Sequence, residues 1–126
     1  MANKNIKLSE LSVAIEKELA AYSDEVAEGI KKNIRKETRA AVRTLKATSP
    51  RKTGEYAGGW RYRVEYEGRE DLRGRIYNGK KPQITHLLEH GHAKRNGGRV
   101  DGIPHIAPAV KELEAKLDAD IKVVVT

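Results

Sequence analysis

A chain of 126 residues with 34% charged and 38% apolar side chains has room for one modest core, and the absence of cysteine excludes disulfides and thiolate metal sites. No apolar run approaches the ~18 residues that a membrane-spanning helix needs, and no apolar leader opens the chain, so synthesis in the cytoplasm without export or membrane insertion is expected. The net charge of +7 is concentrated in one block: residues 1–30 carry three Lys against six acids, residues 31–63 carry eleven Lys and Arg against Glu37 and Glu55, and the remainder is nearly balanced.

The large rings are one Trp and five Tyr, with no Phe. So lean an apolar set predicts either an extended shape with little interior or a protomer that completes its core against neighbours. One domain spanning 1–126 is expected, with residues 1–7 flexible.

In chain order, Leu8-Ser9 reads as a helix start, with Ser9 as N-cap and Leu8 stapled on Val13. Apolar residues then follow at Leu11, Ile15, Leu19, Tyr22, Val26, Ile30, Ile34, Ala41, Val42 and Leu45. Steps of three and four predict one amphipathic helix from about Glu10 to Ala47, roughly 55 Å at ~1.5 Å per residue. Ser23 offers a second N-cap, so a break near it gives the same stripe. Ser49-Pro50 ends the run, because the residue before proline is pushed out of helical conformation.

Residues 49–60 form a glycine-punctuated connector. From Trp60 the period becomes two, with Trp60, Tyr62, Val64 and Tyr66 on one side and Arg61, Arg63, Glu65 and Glu67 on the other. A turn at Gly68–Asp71 and a strand Leu72–Tyr77, with Leu72, Gly74 and Ile76 inward, complete a β-hairpin. Ile84, Leu87 and Leu88 predict a two-turn helix closed by Gly91. Residues 93–102 read as a mobile polar loop, and Ile103–Ala107 as extended. Pro108 suits the first turn of a final helix carrying Val110, Leu113, Leu117 and Ile121, and Val123–Val125 read as a strand able to pair with a sheet edge, including another subunit's. The fold class is α+β.

His86-Leu87-Leu88-Glu89-His90 matches the H-x-x-E-H pattern of one class of zinc peptidases. Gly91 stops the helix at once, and a third ligand is left to His92, His105 or a scattered carboxylate, so a metalloenzyme ranks third among the readings. Ser9, Ser12, Ser23 and Ser49 sit where helix capping explains them, and Arg95-Asn96-Gly97-Gly98-Arg99 lacks the ending of a phosphate loop. No catalytic residue, cofactor or metal is expected. The positive block is the stronger alternative: Lys32, Arg35, Lys36, Arg39, Arg43 and Lys46 on the helix, Arg61 and Arg63 on the strand, and Lys94, Arg95 and Arg99 in the loop form a candidate set for non-specific DNA contacts. The competing interpretation is an ordinary solvated face.

Three segments carry a resemblance: Ser49-Pro50 with Thr53-Gly54 leading toward Trp60, then Leu88-Glu89 with Gly91-His92, then Pro104, Ile106 and Pro108. Across roughly residues 40–115 the chain resembles the small neck and tail-completion proteins of long-tailed bacteriophages and prophages, which act in head–tail joining or as minor tail components. His90 departs from the aromatic residue common there. The resemblance implies an α+β protomer without enzymatic activity that assembles as a homo-oligomeric ring in the virion, at neck or tail, beside other phage neck and tail proteins. It also implies that Thr53, Gly54, Trp60, Leu88, Glu89, Gly91, His92, Lys94, Arg95, Arg99, Pro104, Ile106 and Pro108 serve assembly or docking, with Glu89 anchoring backbone amides or an Arg.

Overall fold

The computed structural model describes residues 10–15, 18–51, 54–117 and 122–125. In chain order it contains β1 (Glu10–Ile15), a 3-10 turn (Glu18–Ala21), α1 (Asp24–Thr48), α2 (Glu55–Gly58), β2 (Trp60–Glu67), β3 (Leu72–Asn78), a second 3-10 turn (Pro82–Ile84), α3 (Thr85–His90), β4 (Gly91–Ala93), β5 (Arg99–Asp101), α4 (Ile106–Lys116) and β6 (Lys122–Val125). The architecture is α+β, as the sequence predicts.

The helix expected from Glu10 starts at Asp24 instead, and Glu10–Ile15 is a strand. Leu11, Val13 and Ile15 alternate at period two and are all buried. Two of them are β-branched, a type that favours the pleated surface, and β1 pairs antiparallel with β3 on one side and β6 on the other. The expected cap at Leu8-Ser9 lies outside the described residues. Ser23 caps α1: its side chain accepts the Val26 N–H at 3.2 Å, and Asp24 and Glu25 complement the positive end of the helix dipole.

The buried row of α1 is Ala27, Lys31, Ile34, Thr38, Ala41 and Leu45, spaced at alternating fours and threes. Tyr22 and Val26, which the sequence pattern places on the apolar stripe, are exposed. Lys31 takes a core position at 2% exposure, its ammonium held by the Gly68 carbonyl at 2.5 Å, Glu28 at 3.3 Å and Glu67 at 3.4 Å. A buried ammonium survives only with such partners.

The main sheet has the order β2-β3-β1-β6. The register of β2 on β3 shifts between Val64 and Tyr66, so parity changes there. The expected placement of Tyr66 inward and Glu67 outward is therefore reversed. Tyr66 is 54% exposed, while Glu67 reaches Lys31 and Arg35 on α1. The strand expected at Val123–Val125 pairs with β1 of its own chain.

The inward sheet residues meet α1 and α4 in one contiguous apolar cluster that includes Leu45, Trp60, Leu72, Ile76, Ile106 and Leu113. Of the two alternatives that the lean apolar set predicts, the extended shape with little interior is not observed. On the other face of the sheet Arg61, Arg63 and Arg73 are exposed. The loop expected over 93–102 contains a two-stranded hairpin, pairing Gly91 with Asp101, His92 with Val100 and Ala93 with Arg99. Ile103–Ala107, expected to be extended, does not form a strand: His105 has φ −136° and ψ −29°, and α4 begins at Ile106.

Candidate functional site

The first backbone N–H groups of a helix lack intrahelical partners, and in α4 no side chain of its own caps them. Glu89, on the inward side of α3 and only 5% exposed, supplies the acceptors. Its Oε1 accepts from His105 N at 2.7 Å and Ile106 N at 2.8 Å, and its Oε2 accepts from Ala107 N at 3.0 Å. Pro108 follows, with no N–H to satisfy. One carboxylate therefore closes the whole amino end of α4, where negative charge is also favoured by the dipole. Burial alone would push the Glu89 carboxyl up, but the three backbone donors and neighbouring His105 outweigh it and hold the group below the usual carboxylate range.

His105 extends the network. Its Nδ1 lies 2.8 Å from the Ile103 carbonyl oxygen and 3.0 Å from Glu89 Oε1, both acceptors, so Nδ1 carries a proton. In the neutral ring Nε2 is then an acceptor, and Tyr56 donates its phenol to it at 2.7 Å. Burial raises the Tyr56 pKa to about 12; the adjacent Thr85 hydroxyl partly offsets this, and the Glu89 charge adds to it. Thr85 Oγ1 is buried beside the phenol but reaches no partner within hydrogen-bond distance and angle.

Tyr56 stacks edge-on with both Trp60 and His105, at ring separations of 5.7 and 5.5 Å. Its carbonyl accepts from Asn78 Nδ2 at 2.8 Å, while Asn78 Oδ1 accepts the backbone N–H groups of Lys80 and Lys81. Trp60 Nε1 donates to Ser49 Oγ at 2.9 Å, and Ser49 in turn donates to the Leu45 carbonyl at the end of α1.

The turn out of α3 is fixed by backbone approach. Gly91 has φ +81°, and a Cβ there would run into the Val100 carbonyl and the Gly102 nitrogen. Ile103 N donates to the Leu88 carbonyl at 2.7 Å, and Arg99 donates to the His90 carbonyl. The β4–β5 hairpin is thereby tied to α3.

Residues 5–91 match a family model described as "Bacteriophage HK97-gp10, putative tail-component". The chain belongs to this phage tail-component family. The match takes in β1 through α3 and ends at the Leu88–Gly91 turn, so the Pro104–Pro108 segment that receives Glu89 lies beyond it. No curated protein and no solved structure matches the chain significantly. Among the described residues no helix is long and apolar enough to cross a membrane.

In this family member the three motif segments meet around Tyr56: Ser49 holds Trp60, which packs edge-on against the Tyr56 ring, Glu89 closes α4, and His105 joins that end to the phenol. Trp60, Glu89, Gly91 and Ile106 are buried. Leu88 is half-buried and, with Ile84, Tyr56, Pro50 and Gly54, lines a cleft of about 290 Å³ whose walls include the Lys81–Glu55 ion pair at 3.7 Å. Gly54 opens α2 with φ +88°. His92, Lys94, Arg95, Arg99, Pro104 and Pro108 are exposed, on the hairpin and the entry to α4. Thr53 lies outside the described residues.

The zinc-peptidase reading has no geometry behind it. His86 and His90 are exposed while both Glu89 oxygens point at α4, and no group of three or more His, Asp or Glu among the described residues could hold a metal.

The positive block also divides. Lys32, Lys36, Arg39 and Arg43 are exposed on α1, and Arg35 is paired with Glu67 at 3.3 Å. Arg61 and Arg63 lie on the opposite side of the sheet, where the Arg63 guanidinium sits 4.9 Å from the Tyr77 ring centre and Glu65 takes ion pairs from Arg63 and Arg75. The cations on α1 and those on β2 therefore do not form one surface. Sequence reasoning passed over Tyr56, Asn78 and Lys31; for Lys31 the four-three spacing of the buried row was the available signal.

Proposed function

We propose that the chain is a non-enzymatic structural protein of a tailed-phage or prophage particle, acting in head–tail joining or tail completion as a ring-forming homo-oligomer. Membership of the tail-component family carries this reading. The way the polar groups are spent supports it: the Glu89–His105–Tyr56 network joins α3, α4 and α2 with its donors and acceptors turned on the chain itself. What is left for neighbours, among the described residues, is the sheet face carrying the exposed Arg61, Arg63 and Arg73, the edge strand β2, and the exposed hairpin carrying His92, Lys94, Arg95 and Arg99. The hairpin is the docking element toward other neck or tail proteins, positioned by the buried residues beneath it, and the whole chain from 1 to 126 acts as one domain.

Deleting the gene from the phage or prophage genome that carries it tests the reading. Electron microscopy of the lysate should show filled heads and tails that fail to join, rescued by the gene in trans. Infectious tailed particles at normal yield without the gene would overturn it.

A further inference from the structure

On α1, Lys32, Lys36, Arg39 and Arg43 follow one another at steps of four, three and four, which sets them in a single row along the helix, and all four are exposed. Lys46, half-buried, extends the row by another step of three. From position 32 to 43 the axial rise is ~16 Å, and to 46 it is ~21 Å.

No acid interrupts the row. Beyond Glu28 the only acid in α1 is Glu37, which lies about 140° round the helix from Lys32. Among the described residues none of the four exposed cations makes an ion pair, in contrast to Lys31, Arg35, Arg63 and Arg75. The row also contains no large exposed apolar residue; the one on α1, Val26, precedes it. Protein interfaces centre on apolar and aromatic anchors and are poor in Lys, so a row made only of cations suits a partner that offers charge alone.

We propose that this face of α1 binds the phosphate backbone of duplex DNA without regard to sequence. One strand of a duplex presents a phosphate about every 3.4 Å of axis, so ~16 Å of helix faces about five phosphates with four cations. The site does not depend on the head–tail reading and adds an activity to it.

The test is fluorescence anisotropy of a labelled mixed-sequence 30-bp duplex against the purified full chain, repeated from 50 to 200 mM NaCl. Neutralising four phosphates gives a log–log salt slope of about −3.6, so affinity should fall roughly 100-fold over that range. Replacing Lys32, Lys36, Arg39 and Arg43 together with Gln should weaken binding more than about 30-fold at 50 mM and flatten the slope by about 3 to 4. The pair Lys36→Gln and Arg39→Gln, for use if the fourfold variant loses helicity, should flatten it by about 2. Replacing Lys80, Lys81, Lys111 and Lys116 with Gln removes the same net charge elsewhere and should leave the slope within about 1 of the parent. No binding at 50 mM, an equal loss in both fourfold variants, or competition by poly-glutamate as effective per charge as that by duplex would each overturn the proposal, the last in favour of an acidic protein partner.

Discussion

Glu89 Oε1 accepts the backbone N–H of His105 at 2.7 Å and lies 3.0 Å from Nδ1 of the same residue. That double contact makes one short helix, α3, the cap of another, α4, sixteen residues further along the chain. Glu89→Gln keeps the shape but removes the charge and can offer only one carbonyl to three donors. Charge-assisted bonds of this kind are worth about 1.5–3 kcal/mol each to lose and a helix cap about 1 kcal/mol, so a net cost of about 2–4 kcal/mol is expected. Thermal unfolding followed by circular dichroism should show a Tm lower by roughly 10 °C. An unchanged Tm would mean that the cap is dispensable.

The same carboxyl predicts an acid limb. Its pKa is lowered in the folded state, so its contribution is fully present above the unfolded carboxylate value of about 4.3 and is lost as pH falls through the folded value. The parent should lose Tm more steeply than Glu89→Gln between about pH 5 and pH 3. Glu65, held low first by its hydrogen bond from Arg75, acts in the same direction from a more exposed position and is common to both proteins. Parallel curves would contradict the assignment.

Tyr56 predicts an alkaline limb of opposite sign. With a folded pKa of about 12 against an ordinary value near 10, its contribution is present below pH 10 and is lost as pH rises toward 12. Tyr56→Phe removes the donor to His105 Nε2 and should cost about 1–2 kcal/mol at neutral pH. It should also soften the loss of stability above pH 10. Spectrophotometric titration showing Tyr56 ionising at its ordinary value would refute this.

Gly91 and Gly97 both have positive φ, at +81° and +95°, but only Gly91 is hemmed in by backbone. Gly97→Ala should cost about 1 kcal/mol, the strain of a left-handed conformation alone. Gly91→Ala must also displace the Val100 carbonyl, and a cost of about 3 kcal/mol or more is expected. Urea denaturation of the two variants measures the difference; equal midpoints would rule out the close approach.

Much of the fold is legible because local chemistry and burial agree. Ser23, Ser49-Pro50 and Gly91 end or begin helices where they stand in the sequence, and Leu72, Gly74 and Ile76 alternate inward as a strand should. Glu10–Ile15 misleads because Leu11 and Ile15 fit a helical step as well as an alternating one, and only pairing with β3 and β6 decides between them. The bulge at Val64–Tyr66 is invisible for a related reason: parity along a strand depends on the partner's register. The motifs mark the site, and Glu89 holds backbone amides as the resemblance implies. The Tyr56–His105 contact spans 49 positions and nothing local announces it.

The central claim is that protomers of this tail-component chain close into a ring, and light scattering coupled to size exclusion, run on the purified protein over a wide range of loading concentrations, tests it most directly. The mass should rise from the 14.1 kDa of one chain and level off at a fixed multiple of it. A mass of 14.1 kDa at every concentration would contradict the claim.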